Sequence, residues 1–558
     1  MKLFFAIVFF ILLLFGCNNQ NENNKIEIIK VKQPQNIDAE AQNILNELHN
    51  TVKGDTLLII DNDTLVTYPY FKNIINLNQL NYIKSGKATV LGDTLFLIIK
   101  TARQYGLYAN EYHFKTLDSL KNNFFNEKDS TYNVTNIAKF EVLLTDAYLL
   151  FGAHLNKGRF AYDTLLREWN PLKLDTNWLS VLKYGIDSNK VRFALDSLEP
   201  KHEGYKFLKK ALRKYIFENE KLSWDSISFT NVVDTPALKK KLKQRFIETG
   251  YYNDSLKVND SLKLAKAIKK FQATFNLETD GKLGKYTKQA LGLDKEKTIR
   301  QIEMALERWR WEPAKYPKQY AIVNIPSAMM HVWEWDKKHK VDTLVLKSKV
   351  VVGKPENQTP TLKSKINYMM IYPYWNVPYK IAYEEILPAV QRDTNYLHKK
   401  NFEVIDGSGK VVTNLGKLNW KRFNKNYLPV KFRQRIGNEN SLGICKFNFN
   451  NKYGVYLHDT NSKRYFKTFY RFQSHGCMRL EQFDAFARFL IREDTLKIPY
   501  DTLTVYFSRQ EQKQINIKKP LQLYVRYYTS TIDSVGNLQK YIDIYRNDEQ
   551  MMKLVYKN

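Results

Sequence analysis

The sequence predicts a multidomain α+β protein: a helical scaffold, a small three-helix domain, and a mostly-β domain interrupted by a lid-like insertion. Three observations predict it. Apolar residues recur at three- and four-residue steps from Ile37 to Thr235, a short helical module with one tight turn follows over 236–293, and from Ile299 β-branched and aromatic runs alternate with turn residues. The 558 residues leave room for about three or four domains. Hydrophobic residues at 44% and aromatics at 14% suffice for packed cores, which excludes a disordered chain. With 22 Gly and 16 Pro, collagen-like and low-complexity architectures are excluded too. Three cysteines cannot build a disulfide framework, and none has zinc-finger spacing. Lys+Arg of 87 against Asp+Glu of 57 gives a net charge of +30, so an anionic partner is expected: nucleic acid, an acidic polymer or a lipid surface.

The N-terminus narrows that choice. Residues 1–16, MKLFFAIVFFILLLFG, place one lysine before an apolar run from Leu3 to Phe15. This run is short for a membrane span, which needs about 20 residues, and suits the core of a secretory signal. Leu14-Phe15-Gly16-Cys17 resembles the bacterial lipoprotein signal, although Phe15 is bulkier than usual there. The resemblance implies lipidation of Cys17; an uncleaved anchor and an ordinary signal peptide are the alternatives. Residues 17–36, rich in Asn, Gln and Lys, read as a lipidated tether. Export argues against nucleic acid as the partner. A periplasmic, lipid-anchored location is therefore expected, with the basic surface facing wall polymer or lipid headgroups.

In 37–235 the clearest helical stretches are Leu95 to Gly106 and Phe140 to Gly152, the second with an almost continuous apolar face. His49, His113, His154 and His202 are scattered singly, and nothing clusters with catalytic spacing. This part reads as a helical scaffold. Within 236–293, Ala267, Ile268, Phe271 and Gln272 share one helical run, Asp280-Gly281 makes a turn, and Gly284 with Thr287 opens a second helix, Thr287 as its cap. With Ala290 and Leu291, these residues resemble the peptidoglycan-binding three-helix domain, although Asn276 stands where that family often has glycine. Packing residues alone do not show sugar binding.

The mostly-β domain spans 299–548, with strand-like runs QYAIVNI, TLVLKSKVVVG, INYMMIY, GVYLH, TLTVYF and LQLYVRYY. Residues 379–437, with the helical IAYEEILPAVQ and a hairpin-like turn at Asp406-Gly407-Ser408-Gly409, form an insertion of the size that covers sites.

The chemistry concentrates in Tyr456-Leu457-His458-Asp459-Thr460 and Ser474-His475-Gly476-Cys477-Met478-Arg479-Leu480. His458 ends a strand. Cys477 lies in a tight turn ahead of a helix expected near Glu481, and a helix N-terminus and a neighbouring imidazolium each lower a thiol's pKa. A thiolate with a histidine base is a competent acyl-transfer nucleophile, and amides around His475 to Cys477 can hold an oxyanion. A zinc site from His458, His475 and Cys477 is the competing reading, but the spacing fits no common motif. Cys445, in GICKFNF, alternates as a buried strand residue.

These residues resemble the L,D-transpeptidase family, whose signature is a histidine followed by Ser/Thr-His-Gly-Cys. So do Glu307-Arg308-Trp309-Arg310-Trp311, Val352-Gly353-Lys354-Pro355, Gln358-Thr359-Pro360, Pro373-Tyr374-Trp375-Asn376-Val377-Pro378, Gln434-Arg435 and Ser441-Leu442-Gly443, which look like its long multidomain branch. The resemblance implies Cys477 as nucleophile, His458 as general base and acid, and His475 and Gly476 shaping the oxyanion hole. Ser474 would orient the turn, Arg479 meet a substrate carboxylate, and Tyr456 line the cleft. It implies attack on the L-centre of meso-diaminopimelate in peptidoglycan stem peptides, release of D-alanine, a 3→3 cross-link, carbapenem sensitivity, and neither metal nor organic cofactor. An L,D-carboxypeptidase, a protein-to-peptidoglycan ligase, and a non-catalytic wall-binding lipoprotein are the alternatives.

Overall fold

The computed structural model describes residues 30–31, 37–51, 58–128, 130–160, 176–218, 224–229, 236–256, 258–493 and 500–556. The expected leader and Cys17 lie outside them, and of the tether only β1 (Lys30–Val31) is described. The described residues form two compact units, the first within 1–103, 107–157 and 171–199 and the second within 104–106, 158–170 and 200–558. The described residues of 200–235, expected with the scaffold, thus group with the second unit.

The first unit holds α1 (Ile37–Thr51), α2 (Val90–Lys100), α3 (Phe114–Asn122), α4 (Val134–Lys157), α5 (Thr176–Asp187) and α6 (Val191–Leu198). Short ladders pair β2 (Leu58–Ile60) with β3 (Asp63–Leu65), and β4 (Ile83–Lys84) with β5 (Lys87–Ala88). β6 (Phe125–Asn126) and β7 (Thr131–Asn133) complete a ladder with β1. α4 is buried almost throughout from Val134 to Leu155, as its continuous apolar face predicts. Its polar residues are consequently paired. Asp146 accepts from the Thr67 amide at 2.8 Å and hydroxyl at 2.7 Å, and meets His113 Nε2 at 2.9 Å. Asp63 takes the other ring nitrogen at 3.0 Å. Burial opposes the charged ring, but the two carboxylates raise His113 to about 9. His113 therefore anchors the scaffold fold, a role hidden by its distance in sequence from both partners.

In the second unit α7 (Glu203–Arg213) packs Tyr205, Leu208 and Leu212 on Ile299, Ile302, Ala305 and Leu306. Between them in sequence lie α8 (Pro236–Glu248), α9 (Asp260–Thr274) and α10 (Lys285–Leu291), closed around Phe246, Phe271, Phe275 and Leu291. Gln272 explains the motif of this module. Its side-chain nitrogen reaches Asp280 Oδ1 at 2.8 Å, the Lys282 carbonyl at 3.0 Å and Thr287 Oγ1 at 3.1 Å, while its oxygen accepts from the Gly281 amide at 2.9 Å. Thr287 is thus a buried partner inside α10; the residue at the cap is Gly284, without a side-chain bond. Asn276 adopts φ 50°, a left-handed conformation that asparagine tolerates and glycine favours.

The strand character expected from Ile299 begins later, because α11 (Lys295–Arg310) runs through that point, capped by Asp294. Then come β8 (Gln319–Asn324), β9 (Met329–Asp336), β10 (Val341–Gly353) and β11 (Leu362–Ile371). The chain next leaves the sheet through β12 (Trp375–Asn376), α12 (Tyr379–Ile381), a π-helical turn at Ala382–Ile386, α13 (Leu387–Arg392), α14 (Asn395–Lys399), β13 (Phe402–Ile405) and β14 (Lys431–Gln434). This excursion has its own core, including Ile386, Val390, Leu397, Trp420 and Phe432. β15 (Cys445–Phe449), β16 (Leu457–His458), β17 (Phe472–Ser474) and β18 (Met478–Leu480) follow, then α15 (Phe483–Ile491), α16 (Tyr500–Arg509) and β19 (Lys513–Arg526). A hairpin of β20 (Ser530–Ile532) and β21 (Leu538–Lys540) and then α17 (Asn547–Val555) complete the unit. The sheet order is β17-β10-β18-β16-β15-β11-β19-β8-β9, and β9 also pairs with β10, giving a barrel-like closure. TLTVYF lies inside α16, not in a strand. Leu503 with Tyr506 and Phe507 has the helical step and packs on the sheet core, so tertiary burial overrides β propensity.

Candidate active site

Two short parallel strands bring the histidine and cysteine segments together. β16 pairs with β18 in a register that sets Leu457 beside Met478 and His458 beside Arg479. Leu457 and Met478 are fully buried in the sheet core. Alternation then sends His458 and Arg479, and Tyr456 and Cys477 one pleat before them, to the opposite face. β15 lies on the other side of β16 and sets Lys446 opposite His458.

The electrostatics of this face are set by burial. His458 is 4% exposed, and desolvation, helped by the positive charge of Arg479 and Lys446, lowers it to about 3, against backbone groups of Asp459 and Leu442. Its Nδ1 is buried without a hydrogen-bond partner. Burial also pushes the Cys477 thiol up, against the Tyr456 amide and phenol, then Lys446 and Arg479. Burial thus disfavours the charged form of both groups. One sequence-based support for a low thiol pKa is corrected by the fold: β18 separates Cys477 from α15, which begins only at Phe483.

The Ser-His-Gly-Cys turn is clamped from two sides. Ser474 Oγ donates to the Cys477 carbonyl at 2.6 Å and accepts from the Gly476 amide at 3.2 Å. Gly476 sits at φ 117°, where a side chain would be strained. From the other side Thr359 Oγ1 donates to the Gly476 carbonyl and accepts from the Gly353 amide, both at 2.8 Å. Gly353 is irreplaceable for a different reason: a Cβ there would lie 2.1 Å from the Asn357 carbonyl oxygen. Lys354 N donates to the Ser474 carbonyl at 2.9 Å. The Val-Gly-Lys-Pro and Gln-Thr-Pro segments thus form the wall that fixes the turn.

On the histidine side, Asp459 accepts from the Ile444 amide at 3.0 Å and pairs with Lys463. Gly443 at φ 62° packs so closely that a Cβ would overlap the Asp459 carboxylate. His475 turns away from this cluster: its Nε2 meets Glu385 Oε1 of the 379–437 insertion at 2.5 Å. Lys380 of the same insertion reaches Asn357 Oδ1 at 3.0 Å. Arg479 lies over the Tyr465 ring, 5.5 Å from its centroid, with Nε unpartnered. Cys445 is wholly buried, its thiol pushed well up by desolvation. Lys446 is the charged residue of this face that sequence reasoning passed over. The alternation of Lys446 with buried Cys445 and Phe447 carried the signal.

Residues 318–498 match the family described as L,D-transpeptidase catalytic domain. The chain carries an L,D-transpeptidase catalytic domain. Residues 76–212 match a scaffold domain, and 238–291 match a "Putative peptidoglycan binding domain". A Haemophilus influenzae protein named "Putative L,D-transpeptidase" is 31% identical over 229 residues, 41% of this chain and 44% of that protein. The chain thus spans less than half the length of this curated relative. The L,D-transpeptidase-like domain thus follows segments similar to a scaffold domain and a putative peptidoglycan binding domain.

Proposed function

We propose that the protein forms 3→3 cross-links in peptidoglycan through an acyl-enzyme on Cys477. The observation that carries this reading is the pairing of β16 with β18, which sets His458, its Nδ1 without a hydrogen-bond partner, and Cys477 on one face. The Cys477 thiol passes its proton to the free Nδ1 of His458 as sulfur attacks the L-centre carbonyl of meso-diaminopimelate in a tetrapeptide stem. Amides of the His475–Cys477 turn hold the oxyanion, with the Gly476 amide leaving Ser474 to join them. The C–N bond then breaks, and the imidazolium gives its proton to the departing D-alanine amine. An imidazole with a depressed pKa is a strong acid once protonated, which suits this second transfer. The amine of a neighbouring stem attacks the thioester, His458 takes its proton, and Cys477 leaves as thiolate. Arg479 meets a substrate carboxylate and Tyr456 lines the cleft.

Residues 379–437 act as a lid, with Glu385 and Lys380 as its contacts at the cleft rim. Cys17 carries the lipid, and the catalytic unit works in the periplasm. The test mixes the protein from residue 18 onward with a disaccharide-tetrapeptide, using Cys477→Ala as control. A covalent adduct with D-alanine loss and 3→3 dimers, absent from the control, supports the proposal. Tripeptide alone shifts the assignment to a carboxypeptidase. No adduct with either the stem or a carbapenem refutes the acyl-enzyme.

A further inference from the structure

The face that carries Cys477 and His458 holds two cations, and among the described residues neither has a carboxylate partner. Lys446 is opposite His458 across β15 and β16, and His458 is opposite Arg479 across β16 and β18, so the three project side by side. The Lys446 ammonium sits 3.9 Å from the centroid of the Tyr456 ring. The phenol of that tyrosine in turn acts on the Cys477 thiol, opposing the rise that burial causes. Among the described residues Lys446 makes no ion pair. A half-buried ammonium without a counter-ion is costly, and burial lowers its pKa. The group that pulls it back up is Cys477. The two cations divide the site: of the pair, Lys446 acts more strongly on the sulfur and Arg479 more strongly on the imidazole.

We infer that Lys446 is an electrostatic positioning residue for acyl transfer, its ammonium held on the Tyr456 ring so that its charge stabilises the Cys477 thiolate as the proton leaves for His458. This deepens the acyl-enzyme proposal and rests on it. Desolvation opposes the Cys477 thiolate, which favours a stabilising positive charge beside it. A cation over the aromatic face supplies it without competing for the proton. The groups on the face of Cys477 are His458 from β16 and Tyr456 just before it, Lys446 from β15 and Arg479 from β18, the last against Tyr465. The turn itself contributes His475, paired with Glu385.

The test is alkylation of Cys477 by uncharged iodoacetamide as a function of pH, read on the Cys477 peptide by mass spectrometry in the full chain. It needs no transpeptidation, so it stands or falls separately from the acceptor and the cross-link. Lys446→Met should move the inflection up by about one unit, a roughly tenfold slower reaction below it. Lys446→Arg should restore most of the wild-type profile. Thermal melting of both variants checks folding, and Lys446→Gln replaces Lys446→Met if the latter melts early. An inflection unmoved in the folded neutral variant overturns the inference, as does Lys446→Arg behaving like Lys446→Met. A raised KM for tetrapeptide with an unmoved inflection also overturns it, since Lys446 would then serve substrate carboxylate binding.

Discussion

Thr359→Val removes one hydroxyl and almost no volume, yet the structure assigns it a large effect. Thr359 is 2% exposed and its Oγ1 is the acceptor for the Gly353 amide and the donor to the Gly476 carbonyl. Valine leaves both backbone groups buried and unpaired. At about 1–3 kcal/mol for each of the two groups, the local cost is about 2–6 kcal/mol. Part of it falls on the turn, because Gly476 then keeps only the Ser474 contact on its amide side. Even a small drift of Cys477 from its attacking position slows acylation, so a loss of tenfold or more is expected. The assay is a time course of Cys477 acylation by a carbapenem, followed by intact mass, beside urea denaturation. Thr359→Ser, which keeps the hydroxyl, should stay close to wild type in both. Wild-type acylation and stability in Thr359→Val would refute the role given to this clamp.

Further outcomes follow from particular contacts. Gly443→Ala should cost about 2 kcal/mol or more, from φ 62° and overlap with Asp459, and should slow acylation through the adjacent His458; melting and acylation measured together check this. Glu307→Gln breaks a buried node in which one carboxylate serves the Arg159 and Phe160 amides and Arg310, so a loss of about 3–5 kcal/mol is expected in chemical denaturation. Lys540, buried and lowered to about 7 from 10.5, binds fewer protons folded than unfolded between those values, so stability should rise with pH across that window. Lys540→Met should flatten the rise and add up to about 5 kcal/mol at pH 7, read from urea midpoints at several pH values. Limited proteolysis of 379–437 should slow when a stem occupies Cys477; unchanged cleavage would count against the lid.

The fold class and the resemblance to an L,D-transpeptidase domain were legible in the sequence. Helical spacing in α4, the Gln272 to Leu291 pattern and the alternation around Cys445 are local signals, because each records which face of a single element is buried. The Ser-His-Gly-Cys turn was legible for the same reason, since its strain and its Ser474 hydrogen bonds lie within four residues. Local propensity misled where burial overruled it, as in TLTVYF within α16 and in the helix that runs past Ile299. Only the tertiary structure decided what distant segments do to one another. His113 reads as a lone histidine until Asp63 and Asp146 close on it, and Thr359 reads as part of a motif until it reaches Gly476. Lys446 becomes part of the site only because β15, β16 and β18 lie in register. Charge and burial at Cys477 and His458 are sums over neighbours from several strands, and strand register across a sheet is a property of the packed chain, absent from any one segment of its sequence.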